Sequence, residues 1–229
     1  MPNEQLTDIG ACVFDAYGTL FDVAAAAAHC KDDLGDKMAP LAAMWRDKQL
    51  AYTWLRSLMG EYTDFWRITQ DGLDYSLATL GIDGDGALRQ KLLDLYFKLD
   101  AYGEVPQVLG ALKAAGLKTA ILSNGSPDML DGAVGNAGIS EMLDDVISVH
   151  DIGIYKPQPS VYQMAVDRLG VPAERICFMS SNGWDAHGAA TFGFNVVWVN
   201  RFKQPQERLP GKIVTQIDDL SALPALLGL

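Results

Sequence analysis

The sequence predicts an α/β fold with a Rossmann-like, mostly parallel sheet, into which an all-helical cap subdomain is inserted. Three observations support this prediction. Short apolar runs typical of buried strands recur along the chain, helical segments separate the later runs, and the interval from residue 23 to 102 shows helical periodicity without a convincing strand. Strands that alternate with helices indicate βαβ units and therefore a parallel sheet.

The strand predictions rest on five apolar runs that turn-forming residues bound. These runs are Ala11–Phe14, Lys118–Leu122, Val146–Val149, Arg175–Met179 and Asn195–Val199. Proline favours the first turn of a helix and glycine favours the position after its end. Three helices are therefore predicted between the later strands, running from Pro106 to Gly116, from Pro127 to Gly138 and from Pro159 to Gly170.

The inserted interval carries apolar residues at a spacing of about 3.6 residues, which indicates amphipathic helices. One stripe consists of Leu41, Met44, Trp45, Lys48, Tyr52, Leu55 and Met59, and a second of Phe65, Ile68, Leu73, Leu77 and Leu80, ending at Gly81. A third helix is predicted near Leu88–Leu99, and the run Ala24–Ala28 favours helix by composition. We therefore predict a core of residues 1–22 and 103–229 and a helical cap of residues 23–102, with hinges near residues 21–23 and 100–103.

Composition excludes several function classes. Of the 229 residues 49% are hydrophobic, enough to bury a full core. The 29 acidic and 18 basic residues give a net charge of −11, which disfavours nucleic acid and anionic membranes as partners. Met1–Gly10 shows no secretory signal and no apolar run is long enough to cross a membrane. Cys12, Cys30 and Cys177 are widely spaced, and the first and last lie in apolar runs, so we expect core thiols in a cytoplasmic protein.

Four polar motifs fall at the ends of successive predicted strands. They are Asp15 with Thr19, then Ser123-Asn124-Gly125-Ser126, then Lys156, and finally the stretch from Ser180 to Asp185. Ligands of open α/β sheets bind outside the carboxyl ends of the strands, so these motifs are expected to meet there. An Asp, a Ser, a Lys and an Asp in this order resemble the haloacid dehalogenase superfamily over nearly the whole chain.

Most members of that superfamily are magnesium-dependent phosphatases, which carry a second Asp two residues after the nucleophile and paired acids at the fourth motif. Here those positions hold Tyr17 and Ser180, and Asp185 has no adjacent acid. A departing alkoxide benefits from a general acid, whereas a halide is a very weak base and needs none. The loss of both the acid and a carboxylate ligand for the metal therefore favours displacement of halide from carbon.

Longer runs are similar to one branch, the L-2-haloacid dehalogenases. They are FDAYGTLFDV, LSNGSPDML, YKPQPSVY, SSNGWDAHGAATFGF and, in the cap, WRDKQLAYTWLRSLMGEYTDFW. The resemblance implies hydrolysis of L-2-haloalkanoic acids to D-2-hydroxyalkanoic acids, with inversion at C2 and an ester intermediate on the aspartate. It also implies a small anionic substrate, no metal or organic cofactor, and a homodimer.

The resemblance assigns catalytic roles to seven residues. Asp15 is the nucleophile, which attacks C2, and Lys156 holds it ionised. Thr19 and Ser123 are expected to offer hydroxyl or backbone donors to the substrate carboxylate or to Asp15. Ser180 and Asn182 are expected to orient groups near the nucleophile or the hydrolytic water. Asp185 either activates that water or fixes Lys156, and the sequence leaves these two roles open.

The substrate-binding residues follow from the same resemblance. Arg46 and Asn124 match the positions that receive the halide, and a weakly hydrated guanidinium suits a soft anion. Tyr17, Leu50, Phe65 and Trp184 are expected to wall an apolar pocket for the alkyl part. Tyr162 matches a position near the catalytic lysine, where core packing with a satisfied hydroxyl is an equally good interpretation.

Two departures and two alternatives stay open at this level. Asp47 places an acid beside Arg46, which puts the substrate range in doubt. His187 follows Asp185 closely enough to assist ester hydrolysis, although a histidine on the helix surface is the simpler interpretation. The main alternative function is a magnesium-dependent phosphatase of the same fold, acting on a small phosphate ester. A catalytically silent, partner-binding member of the fold is the other, and the cost of holding Asp15, Lys156 and Asp185 at strand ends argues against it.

Overall fold

The computed structural model describes residues 6–23, 31–97 and 99–229. Within these residues, six parallel strands form one sheet in the order β3-β2-β1-β4-β5-β6. The strands are β1 (Ala11–Phe14), β2 (Lys118–Ser123), β3 (Asp145–Ser148), β4 (Ile176–Ser180), β5 (Asn195–Val199) and β6 (Thr215–Ile217). This order is that of a doubly wound nucleotide-binding sheet, so the predicted Rossmann-like parallel sheet is confirmed.

The sequence predicted five of the six strands to within one residue at either end. Apart from the half-buried Val146, their apolar side chains are buried on both faces of the sheet, which is the pattern that parallel strands require. The sixth strand, β6, was missed because its three residues, Thr215–Ile217, contain only one apolar side chain. It adds to the edge of the sheet by pairing with β5.

The described helices number nine. They are α1 (Lys31–Leu34), α2 (Met38–Met59), α3 (Phe65–Thr79), α4 (Gly86–Leu95), α5 (Val105–Ala114), α6 (Pro127–Asn136), α7 (Pro159–Leu169), α8 (Gly183–Phe192) and α9 (Leu223–Leu226). Short 3₁₀ turns lie at Gly35–Lys37, Ser140–Met142, Val149–Asp151, Ala173–Arg175 and Leu220–Ala222. Proline opens α6 and α7 as predicted, and Gly170 ends α7 with a positive φ.

The apolar stripe predicted for α2 is wrong in its second half. Leu55 and Met59 are exposed, whereas Gln49 and Thr53 face inward. Polar side chains can be buried there because each has a partner: Gln49 Nε2 donates to Thr69 Oγ1 at 2.9 Å, and Thr53 Oγ1 donates to the carbonyl of Leu50 at 2.7 Å. The stripe on α3 is correct for Phe65, Ile68, Leu73 and Leu77.

The chain enters and leaves the helical segment side by side. Asp22 donates its backbone N–H to Asp100 at 2.9 Å, and Tyr102 donates to Leu20 at 2.9 Å. Arg201 reinforces this junction, because its guanidinium donates to the carbonyl of Thr19 and to the carboxylate of Glu104 and stacks 3.8 Å over the ring of Tyr102. The two crossings therefore sit next to the loop that follows β1.

Cys12 and Cys177 are buried free thiols, as predicted, and they are opposite each other on β1 and β4. Cys30 and the predicted Ala24–Ala28 helix lie outside the described residues. Among the helices of the described ranges, none is long and apolar enough to cross a membrane.

Candidate active site

The polar motifs meet where the strand order reverses. β1 and β4 are neighbours, and the chain continues from them toward opposite edges of the sheet, which opens a crevice at their carboxyl ends. Asp15 follows β1 and extends its pairing, since its N–H donates to Met179 on β4 at 2.9 Å. The fold therefore places the predicted nucleophile at the centre of this crevice.

The Asp15 side chain is 10% exposed, and its carboxylate is held by three different side chains. Its Oδ2 accepts hydrogen bonds from Thr19 Oγ1 at 3.1 Å and from Asn182 Nδ2 at 2.9 Å. Its Oδ1 accepts from Lys156 Nζ at 3.2 Å. A carboxylate fixed by donors from three separate segments keeps one orientation, which a nucleophile needs.

Lys156 bridges two carboxylates in the buried centre of the site. Its Nζ lies 3.2 Å from Asp15 Oδ1 and 2.9 Å from Asp185 Oδ2, and its side chain is 1% exposed. Burial works to lower the pKa of Lys156, but the charges of Asp185 and Asp15 outweigh it and the pKa is raised. Burial also raises the pKa of Asp185, which Lys156 opposes only in part. The ammonium supplies the positive charge that this carboxylate pair requires.

Tyr162 and Asn124 help to position Asp185 and Lys156, respectively. Tyr162 is fully buried and donates its hydroxyl to Asp185 Oδ1 at 2.8 Å, while its ring packs among Phe178, Phe192 and Phe194. The structure thus places Tyr162 in the core with a satisfied hydroxyl, one of its two predicted interpretations. Asn124 accepts the backbone N–H of Lys156 at its Oδ1, at 3.0 Å.

The hydroxyl residues shape the loops of the site. Thr19 Oγ1 also accepts the N–H of Ser181 at 2.8 Å, which ties the loop after β1 to the loop after β4. Ser180 Oγ accepts the N–H of Asn182 at 3.2 Å, and Ser123 Oγ accepts the N–H of Gly125 at 3.0 Å. Thr19 contacts Asp15 as predicted, whereas the hydroxyls of Ser123 and Ser180 stabilise their own turns.

A cavity of about 520 Å³ opens between the helical segment and the loops of the sheet. Arg46 on α2 lines it and donates to Asn182 Oδ1 at 3.0 Å, so the amide of Asn182 connects Arg46 to Asp15. Tyr17, Leu50 and Trp184 also line the cavity, in agreement with the predicted pocket. Phe65 lies behind this wall, stacked on Tyr17 with ring centroids 6.0 Å apart.

The cavity has an acidic mouth. Among its described lining residues, Asp47 and Glu207 carry carboxylates and Arg46 carries the cation. Asp47 and Glu207 are exposed side chains, one on α2 and the other in the loop after β5. An anionic ligand therefore passes two negative charges before it reaches Arg46.

The expectation that His187 lies on the helix surface is wrong. The side chain is buried, and its Nδ1 lies 2.9 Å from the carbonyl of Pro210. The loop after β5 covers it, because Gly211 approaches so closely that a Cβ there would stand 2.6 Å from the His187 carbonyl. This contact could not be predicted from the sequence, because the loop residues 201–212 are mostly polar and show no periodicity.

Several lining residues were not predicted. Tyr96, the residue directly after α4, and Trp45 on α2 pack with ring centroids 4.9 Å apart, and Phe202 and Gln204 come from the loop after β5. Long loops without secondary structure are often functional, and that length was the available signal. Within the described ranges no group of three or more His, Cys, Asp or Glu side chains is arranged to hold a metal ion.

The chain is similar to known proteins over most of its length. A profile of the haloacid dehalogenase-like hydrolases matches residues 9–193. The chain is 50% identical to (S)-2-haloacid dehalogenase 1 of Pseudomonas sp. (strain CBS-3), over 96% of each protein. It is 43% identical to (S)-2-haloacid dehalogenase 4A of Burkholderia cepacia, over 98% of this chain and 97% of that protein.

The fold is also similar to that of a solved structure with a covalent ligand. This is L-2-haloacid dehalogenase from Xanthobacter autotrophicus with chloropropionic acid covalently bound. The TM-score is 0.89 at 38% sequence identity, over 96% of this chain and 98% of that chain.

Proposed function

Because this chain belongs to the haloacid dehalogenase-like hydrolase family, we propose that it hydrolyses L-2-haloalkanoic acids to D-2-hydroxyalkanoic acids through an ester on Asp15. Relatives of nearly the same length, 50% and 43% identical to this chain, are (S)-2-haloacid dehalogenases. The covalent chloropropionic acid complex of the Xanthobacter autotrophicus enzyme agrees with an ester intermediate.

One observation carries the proposal: a buried carboxylate, Asp15, is paired with the ammonium of Lys156 where the strand order reverses. The position two residues later, where a phosphatase of this superfamily has a second acid, holds Tyr17. A halide leaves without a proton, so the site needs a charged nucleophile and an anion-binding group rather than a general acid.

In the first step, the Asp15 carboxylate attacks C2 from the side opposite the halogen. The new C2–O bond forms as the carbon–halogen bond breaks, the halide departs with the bonding electrons, and C2 is inverted. Arg46 and Asn124 are the proposed halide-binding residues. Arg46 reaches the cavity and is linked to Asp15 through Asn182, which supports this assignment.

The second step releases the product and regenerates the enzyme. Water attacks the carbonyl carbon of the Asp15 ester, and the bond from that carbon to the product oxygen breaks. One proton of the water passes to the product oxygen, which leaves as the hydroxyl group, and the other is released to solvent as the Asp15 carboxylate is regenerated. The hydroxyl oxygen of the product therefore comes from Asp15, and the inverted configuration at C2 is kept. Oδ2 accepts from Thr19 and Asn182, so these donors favour the negative oxygen that forms during this attack.

Asp185 acts in this proposal mainly on Lys156. Both its oxygens accept hydrogen bonds, one from Lys156 Nζ and the other from Tyr162. A carboxylate so engaged holds the ammonium beside Asp15 through both steps. His187 contacts the loop after β5 through Nδ1, and we propose that its role is to hold that loop against α8.

The relatives named above give no support to the phosphatase alternative. We propose that the reaction is independent of metal and organic cofactors, because the Lys156 ammonium already bridges the two carboxylates of the site. Chloride release from L-2-chloropropionate in the presence of EDTA, with D-lactate as the product, is the expected result. Turnover of an aryl phosphate restored by magnesium, without chloride release, would reverse the proposal.

Heavy-oxygen water tests the intermediate itself. In a single turnover, mass spectrometry should detect the label in Asp15 and not in the lactate. Asp15→Asn should release no chloride while it keeps the fold, as judged by circular dichroism. Label that enters the lactate first would show direct attack of water on C2.

We also propose that helical residues 23–102 form a cap over a core of residues 1–22 and 103–229, and that the protein is a cytoplasmic homodimer. The buried free thiols Cys12 and Cys177 support a reducing compartment. Exposed Leu55, Leu58 and Met59 at the end of α2 support an apolar contact with a second copy.

A further inference from the structure

The hydroxyl of Tyr17 is a buried polar group that the mechanism above does not use. The side chain is 4% exposed and lines the cavity, and its hydroxyl has no hydrogen-bond partner among the described residues. An unpaired buried hydroxyl loses the hydrogen bonds that it makes in water, and folded proteins seldom accept this cost. The observation points to a partner that arrives with the substrate.

The ring of Tyr17 is fixed by its neighbours. Phe65 stacks on it, and the rings of Phe21 and Tyr96 lie with centroids 6.4 Å away. A Cβ built on Gly125 would lie 2.8 Å from Tyr17 Cε2 and 3.0 Å from its hydroxyl. The hydroxyl is therefore held against the backbone of the residue that directly follows Asn124.

The hydroxyl lies beside the residue that follows one proposed halide ligand, and its side chain lines the cavity that the other proposed ligand also lines. Asn124 precedes Gly125, and Arg46 lines the same cavity and acts electrostatically on Tyr17. Burial outweighs the charge of Arg46 and raises the pKa of the Tyr17 phenol well above its usual value. The phenol thus keeps its proton and can donate a hydrogen bond without giving the proton up.

We propose that the Tyr17 hydroxyl donates a hydrogen bond to the departing halide, as a third ligand beside Arg46 and Asn124. The inference rests on the proposed function. The hydrogen bond strengthens as negative charge develops on the halogen, so it stabilises the transition state more than the substrate. Hydrogen bonds to chloride are stronger than those to bromide, because the smaller ion has the higher charge density.

Tyr17→Phe tests this role, since it keeps the ring and removes only the hydroxyl. The values of kcat/KM for L-2-chloropropionate and L-2-bromopropionate report the ester-forming step. We expect a loss on the order of 10-fold for the chloride substrate, which corresponds to one hydrogen bond to an anion, and a smaller loss for the bromide substrate. The inhibition constant of chloride should rise, while that of D-lactate stays the same.

Tyr96→Phe is the matched control. Tyr96 is a neighbouring buried tyrosine, but its hydroxyl donates to Gln49 Oε1 at 3.1 Å. Loss of that hydroxyl should change kcat/KM for both substrates by the same factor.

Three results would overturn the inference. An equal loss for both halogens with weaker inhibition by D-lactate would assign the hydroxyl to the substrate carboxylate. A Tyr17→Phe variant with the wild-type values of kcat/KM and of both inhibition constants would show that the hydroxyl binds no ligand. An equal loss with no change in either inhibition constant would indicate packing alone. A wild-type protein that releases halide from neither substrate would instead refute the proposed function itself.

Discussion

Lys156 is the residue on which the charges of the site depend. Burial works against its ammonium, and the carboxylates of Asp185 and Asp15 more than compensate, so the pKa of Lys156 is raised. The charged form therefore persists through neutral and moderately alkaline pH. Asp185 interacts with Lys156 more strongly than Asp15 does. It therefore contributes most to the pH range over which the Lys156 ammonium can pair with Asp15, the proposed nucleophile.

Asp185→Asn should move the alkaline limit of ester formation to lower pH. The substitution removes the charge that raises the pKa of Lys156 most, while the burial that lowers this pKa remains. We expect the alkaline limit of the variant to lie below that of the wild type, because burial then acts on Lys156 with one carboxylate fewer to oppose it. The measurement is the pH dependence of the single-turnover rate of halide release.

Asp167→Asn is the control, since Asp167 is an exposed aspartate on α7 that bonds to Gln163. It should leave the alkaline limit where the wild type has it. An Asp185→Asn variant with measurable halide release and an unshifted limit would contradict the role given to Asp185.

At the residue scale, sequence was informative wherever a side chain follows a strand. Asp15 directly follows β1 and Asn182 lies two residues beyond β4, so the topology alone brings them together. It failed where a distant loop decides burial, as with His187, which the segment around Pro210 covers. The inward position of Gln49 was hidden as well, because its partners Thr69, on α3, and Tyr96, directly after α4, are distant in the sequence.

Among the elements, α8 is packed unusually closely against the residues that hold the site. A Cβ on Gly188 would lie 2.5 Å from the Tyr162 hydroxyl and 2.6 Å from Pro157 Cβ. Tyr162 in turn donates to Asp185, so the position of α8 and the orientation of that carboxylate are coupled.

Gly188→Ala should therefore destabilise the protein and lower its activity together. Overpacking of this kind costs about 1–3 kcal/mol of unfolding free energy, measured by urea denaturation. Gly110→Ala is the matched control in the middle of α5, where a Cβ meets nothing within 4 Å. It should be neutral or stabilising by up to about 1 kcal/mol. Equal effects of the two substitutions would show that the close approach of α8 has no consequence.

The elements themselves were predictable to the extent that each has its own local signal. Pro127 and Pro159 predict the starts of α6 and α7, and the apolar runs predict five strands. β6 has no such run, and it forms because Thr215–Ile217 can pair with the free edge of β5. The outward turn of Leu55 and Met59 likewise depends on what packs against α2, which periodicity does not encode.

At the scale of the whole molecule, the net negative charge of the protein repels an anionic substrate. The net charge is −11, and Asp47 and Glu207 stand at the cavity mouth. Screening by salt should therefore accelerate the capture of an anionic haloacid. We expect kcat/KM for L-2-chloropropionate to rise about twofold between 10 and 200 mM ionic strength, set with sulfate to avoid halide inhibition.

Asp47→Asn should raise kcat/KM at low ionic strength and flatten this dependence. Asp131→Asn removes the same charge from the exposed face of α6, outside the residues that line the cavity. It should leave the salt dependence close to that of the wild type. A wild-type kcat/KM that falls with salt would mean that Arg46 governs the approach of the substrate.

The assembly can be tested at the end of α2. Leu58 is 85% exposed, beside Leu55 and Met59. If this surface contacts a second copy, Leu58→Glu should convert the dimer to a monomer, as measured by multi-angle light scattering. The variant should keep the circular dichroism spectrum of the wild type, which shows that each subunit is still folded. Ala78→Glu, at an exposed position of the neighbouring helix α3, adds the same single negative charge and should leave the mass unchanged.

The paired backbone crossings at Leu20–Asp22 and Asp100–Tyr102 have an evolutionary consequence. Since both ends of the helical insert are anchored at one point, an entire insert can be exchanged for another without rethreading the sheet. Asp15, the proposed nucleophile, would stay with the core, and Arg46, the proposed halide ligand, would move with the insert. Proteins with this architecture can thus acquire a new binding site for the leaving group in evolution while the residue at the position of Asp15 is kept.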